Sequence, residues 1–130
     1  MKKTLLLFLL LPFFGFAQQL SGDYVISSAN PLANFRTLAL AVDQINTRGV
    51  SGPVRFLLDE DQNLTSLLSI NIIANTSTTN TFTIKPNTGK NITITTTMAS
   101  PSTGIPAVIR FNGTNNVIID GSNSTLNTKI

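Results

Sequence analysis

The sequence predicts an all-β chain wound as a solenoid, with a single α-helix near its N-terminus. Three observations carry this reading. Apolar residues recur at a helical interval over residues 34–49; after Gly52 and Pro53 the period drops to two; and the short strands that follow return at nearly regular intervals.

In the helical segment, Phe35, Leu38, Ala39, Val42 and Ile45 fall on one face. Asn34 is placed to cap the first amides, Gly49 to close the last turn in the left-handed conformation, and Arg48 lies near the negative end of the dipole. Its expected role is to cover hydrophobic surface. In the strands, Val54, Phe56 and Leu58 alternate with Arg55 and Leu57, and the same pattern recurs at Ile70/Ile72, Phe82/Ile84, Ile92/Ile94, Ile109/Phe111 and Val117/Ile119. Clusters of Asn, Gly, Pro, Ser and Thr separate them as turns.

The strands order into two interleaved tracks. Phe56/Leu58 returns as Phe82/Ile84 after 26 residues and as Ile109/Phe111 after 27 more; Ile70/Ile72 returns as Ile92/Ile94 after 22 and as Val117/Ile119 after 25. Intervals of this size belong to stacked repeats, in which each turn buries an interior that no single turn can bury. Evenly spaced short strands also fit a β-sandwich, which stays open on spacing alone; the scarcity of tight hairpin signals favours the solenoid.

Composition excludes several classes of function. At 130 residues there is room for one domain, and 12% charged residues is too few for a charge-repelled disordered chain. With no Cys and no His, disulfides, thiolate or imidazole catalysis and Cys/His zinc sites are absent. The first 17 residues read as a secretory signal peptide: Lys2 and Lys3, an apolar run from Leu5 to Phe14, then Gly15, Phe16 and Ala17. The run is too short for a bilayer-spanning helix and contains Pro12. Without Lys2 and Lys3, seven basic side chains face six acidic ones, and the basic residues are scattered singly, so no nucleic-acid interface is predicted.

The ordered set of helix, V-S-G-P-V-R-F at 50–56, T-F-T-I-K-P-N-T-G at 81–89 and I-R-F-N-G-T-N-N-V-I-I-D-G-S at 109–122 resembles the opening of secreted right-handed parallel β-helix proteins of the pectin-lyase-like kind. Such openings are similar to those of large bacterial cell-surface proteins that carry a C-terminal domain for type IX sorting. The resemblance covers about residues 23–122. It implies a right-handed parallel β-helix capped by the helix, with a signal peptide at 1–17, an N-terminal segment at 18–52 and the first coils at 53–130. Because such proteins are typically much longer, it also implies a truncated or split chain whose partners are further β-helix coils.

The fold hosts lyases, hydrolases, adhesins and inert stalks alike, so it does not by itself fix an activity. The expected role is structural or adhesive at the cell surface, with extracellular polysaccharide or other surface glycans as ligand. The alternative is a polysaccharide lyase or glycoside hydrolase whose catalytic coils lie beyond Ile130. No catalytic residue, metal ligand or cofactor is assigned from the sequence.

Four features weigh on that reading. Asp59, Glu60, Asp61 and Asn63 imitate the first half of a calcium loop, but Leu64 replaces its glycine and Ile70 its bidentate Glu, so a solvated turn is preferred. Asp120 before Gly121, with Arg110 nearby in sequence, imitates the acid and base of a sugar-cleaving site, yet a lone carboxylate in an Asp-Gly pair is more simply a turn. Threonines 81, 83, 93, 95 and 97 suggest an ice-binding rank, which fails because Thr83 aligns with Arg110 and Thr93 with Asn71 and Ile118. The sequons at Asn63, Asn75, Asn91, Asn112 and Asn123 are expected by chance in so Asn- and Thr-rich a chain, and Gly89 with Lys90 lacks the rest of a phosphate loop.

Overall fold

The computed structural model describes residues 18–98 and 107–123; the predicted signal peptide lies outside them. The protein is mostly β with one helix, in the order β1 (Leu20–Ile26), α1 (Leu38–Arg48), β2 (Val50–Leu58), β3 (Gln62–Leu64), β4 (Leu68–Ile70), β5 (Phe82–Pro86), β6 (Ile94–Thr96), β7 (Ile109–Phe111) and β8 (Val117–Ile119). The strands form three short sheets, β1-β2-β5-β8, β3-β6 and β4-β7. All five registered strand pairs are parallel, which removes the sandwich, an antiparallel architecture. No helix among the described residues is long and apolar enough to cross a membrane.

α1 starts at Leu38, three residues later than the apolar spacing from Phe35 predicts. Thr37 is its cap, extended at φ −141°, its side chain accepting from the Leu40 amide. Asn34 and Phe35 are drawn off to the outer edge of β1. There the Asn34 carboxamide accepts from the Val25 amide at 2.8 Å, and the Ser27 amide donates to the Phe35 carbonyl at 3.0 Å. A sheet edge offering unpaired groups outcompetes one more helical turn. The C-terminal end lies where expected: Gly49 takes φ 68° and its amide donates to the Ile45 carbonyl, but its ψ of −166° is extended and not left-handed helical. Leu38, Ala41, Val42 and Ile45 form the buried face.

β1 was not visible in the strand alternation, although Leu20 and Ile26 are fully buried. Gly22, at φ 91°, breaks the run beside a register shift, where β1 advances from Leu20 to Gly22 while β2 advances from Val50 to Val54. The bulge absorbs Gly52 and Pro53 within β2, where the sequence places a break.

The two predicted tracks are three. Val54 pairs with Phe82 and Phe82 with Val117, steps of 28 residues from 54 to 82 and 35 from 82 to 117. Ile109/Phe111, assigned by spacing to that track, instead stacks on Leu68/Ile70, and Ile94 stacks on Gln62. Spacing failed because the connecting turns differ in length, so equal intervals in sequence are not equal positions in space. Ile72, predicted inward, is 72% exposed, and Ile73 is buried in its stead.

The core runs beneath α1. Phe56 and Phe82 meet edge-on at 4.8 Å between ring centroids, and Tyr24 and Phe35 pack against Phe56. Fully burying an aromatic or aliphatic side chain contributes about 1.5–3 kcal/mol, so this column is the natural centre of stability. Amide pairs tie together segments distant in sequence: Asn112 donates to Asn71 at 3.1 Å and Asn123 to Asn91 at 2.9 Å. Asn46 of α1 begins one such series. Its Nδ2 donates to the Ser69 carbonyl and its Oδ1 accepts from the Asn71 amide, the two bonds a residue of an adjacent parallel strand would make. The helix thereby closes the outer edge of β4.

Candidate functional site

The segment joining β2 to β3 carries the densest acidic run and forms one wall of a cleft of about 240 Å³. The other wall is the entry to α1, with Arg36, Thr37 and Ala39; Asn63, Thr65 and Ser66 are also in the lining.

The three acids are held by separate protein donors. Asp59 accepts from the Asn87 carboxamide at 3.1 Å and lies 3.7 Å from the Lys90 ammonium. Asp61 accepts from the Thr93 amide at 2.8 Å. Glu60 reaches back across the sheet edge to the turn after β1, accepting from the Ser28 and Ala29 amides and the Ser27 hydroxyl. Hydrogen bonding from Ser28, through hydroxyl and amide, and from Ser27 and Ala29 holds its carboxyl at about 2, well below the usual range, against a smaller opposing effect of burial. Among the described residues, no group of three or more His, Cys, Asp or Glu is arranged to hold a metal ion. The acidic run fastens neighbouring segments together.

A group whose folded-state pKa is depressed contributes stability that is present above its unfolded value and is lost as pH falls through the folded one. For Glu60 that window runs from about 4.5 down to about 2. Glu60→Gln is expected to cost about 1–2 kcal/mol at neutral pH, the lower part of the range for hydrogen bonds to a charged group, because the site is only half buried. It is also expected to flatten the loss of thermal stability between pH 5 and pH 3. Equal slopes for variant and parent across that window would show that the Ser27 turn does not depend on the carboxylate.

Gln62 ties the two walls of the cleft together. Buried at the start of β3, it accepts from the Leu38 amide at 2.9 Å and donates to the Glu60 carbonyl at 3.0 Å, joining the first turn of α1 to the acidic segment. Sequence reasoning passed over it because an isolated Gln carries no motif. Arg36 is exposed, and its Nη1 donates to the Ser28 and Asn30 carbonyls at 2.9 and 3.4 Å. The backbone of Asn63 also contributes. The Gln62 amide and the Leu64 carbonyl bond to the β6 segment, so alternation turns the N–H and C=O of Asn63 to the opposite edge, where the cleft lies. The cleft thus combines a guanidinium, a carboxylate, hydroxyls and an open strand edge above the buried Leu64.

The second acidic candidate is a turn. Asp120 accepts from the Ser122 amide at 2.8 Å and hydroxyl at 2.9 Å, and pairs with Lys85 at 3.1 Å. The Ser122 amide and hydroxyl, then Lys85, hold its carboxyl at about 2, so it is an anion at neutral pH and no proton donor. Arg110 stands on β7, in a different sheet from β8, and is exposed beside Phe111. The structure does not assemble the two into an acid–base pair.

The threonines form no column. Thr83 is opposite Arg55 and Ile118, not Arg110, while Thr95 and Thr96 are opposite Asn63 and Leu64. Of the sequon asparagines, Asn112, Asn91 and Asn123 are engaged in the amide pairs, Asn75 occupies a left-handed turn at φ 67°, and Asn63 borders the cleft. Gly89 lies in a turn at φ 74°, its amide bonded to the Asn123 carbonyl.

Comparison with known protein families, characterised proteins and solved structures finds no match to this chain.

Proposed function

We propose that the chain is the opening of an exported right-handed parallel β-helix whose role is architectural and adhesive, with α1 closing one end of the solenoid. The observation that carries this reading is the order in which the chain visits its sheets. β2, β3 and β4 belong to three different sheets, β5, β6 and β7 revisit them in the same sequence, and β8 returns to the first. Every return is parallel and in register. Repeated winding in one sense accounts for this, and parallel crossovers are right-handed in about 98% of cases. The apolar segment with Lys2 and Lys3 before it supports export.

The polar cleft supports a glycan as the ligand. Sugar hydroxyls both donate and accept, and Arg36, Asp61, Asn63 and Thr65 offer both kinds of partner around a small floor. Immobilised extracellular polysaccharides are expected to retain the full chain, and Arg36→Ala with Asn63→Ala is expected to reduce retention about tenfold, equivalent to about 1.4 kcal/mol. Retention unchanged by both substitutions would move the ligand to another face. No retention of any glycan by the folded chain would remove the adhesive reading and leave a purely structural one.

A further inference from the structure

The two ends of the strand stack differ. At the α1 end, Asn34 and Phe35 bond the outer edge of β1 and Asn46 bonds that of β4. At the other end lie β6, β7 and β8. Their bonds to the preceding strands run through Thr93 and Thr97, Val108 and Asn112, and Asn116 and Asp120. Alternation along parallel strands therefore turns the N–H and C=O groups of Ile94, Thr96, Ile109, Phe111, Val117 and Ile119 away from those strands. None of these groups has a partner among the described residues.

The side chains of the same six residues continue the interior. They stand over Gln62, Leu64, Leu68, Ile70, Phe82 and Ile84, every one of them buried. Yet Phe111 is 52% and Ile119 53% exposed, and Ile94, Ile109 and Val117 are half-buried. Five apolar side chains and six open backbone positions thus coincide on one surface. A partner of unrelated architecture would cover the side chains and leave the amides unpaired.

We propose that this edge is a docking surface for polypeptide in extended conformation, laid parallel to β8 with apolar residues at alternate positions, as β5 lies on β2. The proposal rests on the stacked-strand reading above and extends it by fixing the register: an inward aromatic or aliphatic residue over Val117 and another over Ile119. Continuity with the β5-β8 ladder, where Phe82 and Ile84 meet Val117 and Ile119, specifies that pattern. An added strand satisfies backbone groups and buries apolar surface at once.

The test is amide hydrogen exchange on the full chain with a synthetic Thr-Phe-Thr-Ile-Lys peptide, a copy of residues 81–85. At peptide tenfold above its dissociation constant, exchange of the Val117 and Ile119 amides is expected to slow about tenfold, while that of Asp120, already bonded to Ile84, stays unchanged. A Thr-Thr-Thr-Ser-Lys peptide is expected to give no slowing, and Ile119→Lys to abolish the effect of the first. Unprotected Phe82 and Asp120 amides in the free protein would overturn the stacked-strand reading itself. If those amides are protected but millimolar peptide leaves Val117 and Ile119 unchanged, the docking proposal alone falls. Protection of Val117 and Ile119 that appears without peptide and grows with protein concentration would replace the proposed partner with a second copy of this chain.

Discussion

Phe56→Ala is expected to destabilise the protein by about 3–5 kcal/mol, enough to leave a domain of this size close to unfolded at room temperature. The ring is fully buried, meets Phe82 edge-on at 4.8 Å, and is packed by Tyr24 and Phe35. Its removal leaves a cavity and forfeits edge-to-face contacts worth about 0.5–1.5 kcal/mol beyond area burial. Phe56→Leu, which refills most of the volume, is expected to cost about half as much. Phe111→Ala is the contrast, since that ring is 52% exposed and its loss is expected to cost under about 1 kcal/mol. Urea unfolding of the three variants, with the slope of the transition unchanged, checks the ranking. Equal losses at Phe56 and Phe111 would mean that the column under α1 is not the stability centre.

Gly49→Ala is expected to cost about 2–4 kcal/mol, through two effects that a second glycine separates. At φ 68° the backbone is in a region that disfavours a side chain, and a Cβ there would lie 2.7 Å from the Ala74 carbonyl oxygen and 2.9 Å from the Ala74 Cβ. Relief requires moving backbone that is already committed: the Gly49 amide donates to Ile45, its carbonyl accepts from Leu20, and the Val50 amide donates to Ala74. Gly89 has a similar φ of 74° with nothing within 4 Å of an added Cβ. Gly89→Ala is therefore expected to cost about 1 kcal/mol, the conformational part alone. Thermal unfolding of the pair measures the difference, and equal midpoints would show that the junction of α1 with β2 yields to the methyl group.

The helix and its closing glycine were legible because they depend on neighbours within one or two turns. The strands with strict alternation, Val54 to Leu58 and Phe82 to Ile84, were legible for the same reason. β1 and β3 were not, since Gly22 interrupts the first and the second is three residues long with Gln62 at an inward position. The roles of the charged residues were only half legible. That Asp59, Glu60 and Asp61 lack the Gly and the Glu that complete a calcium loop is legible in the sequence. That each holds a different segment, through Asn87, Ser28 and Thr93, depends on residues about 30 positions away in sequence.

A mostly β chain with one helix, low in charge and without thiol or imidazole chemistry, is readable in the residues alone, because composition and short-range periodicity are properties of neighbouring residues. That Ile109 and Phe111 pair with Leu68 and Ile70, that Val117 and Ile119 pair with Phe82 and Ile84, and that Gln62 and Asn46 join α1 to the strands emerges from the folded chain. The physical reason is that parallel pairing closes long, unequal loops, and which strand lies beside which depends on burial and backbone pairing summed over the whole stack.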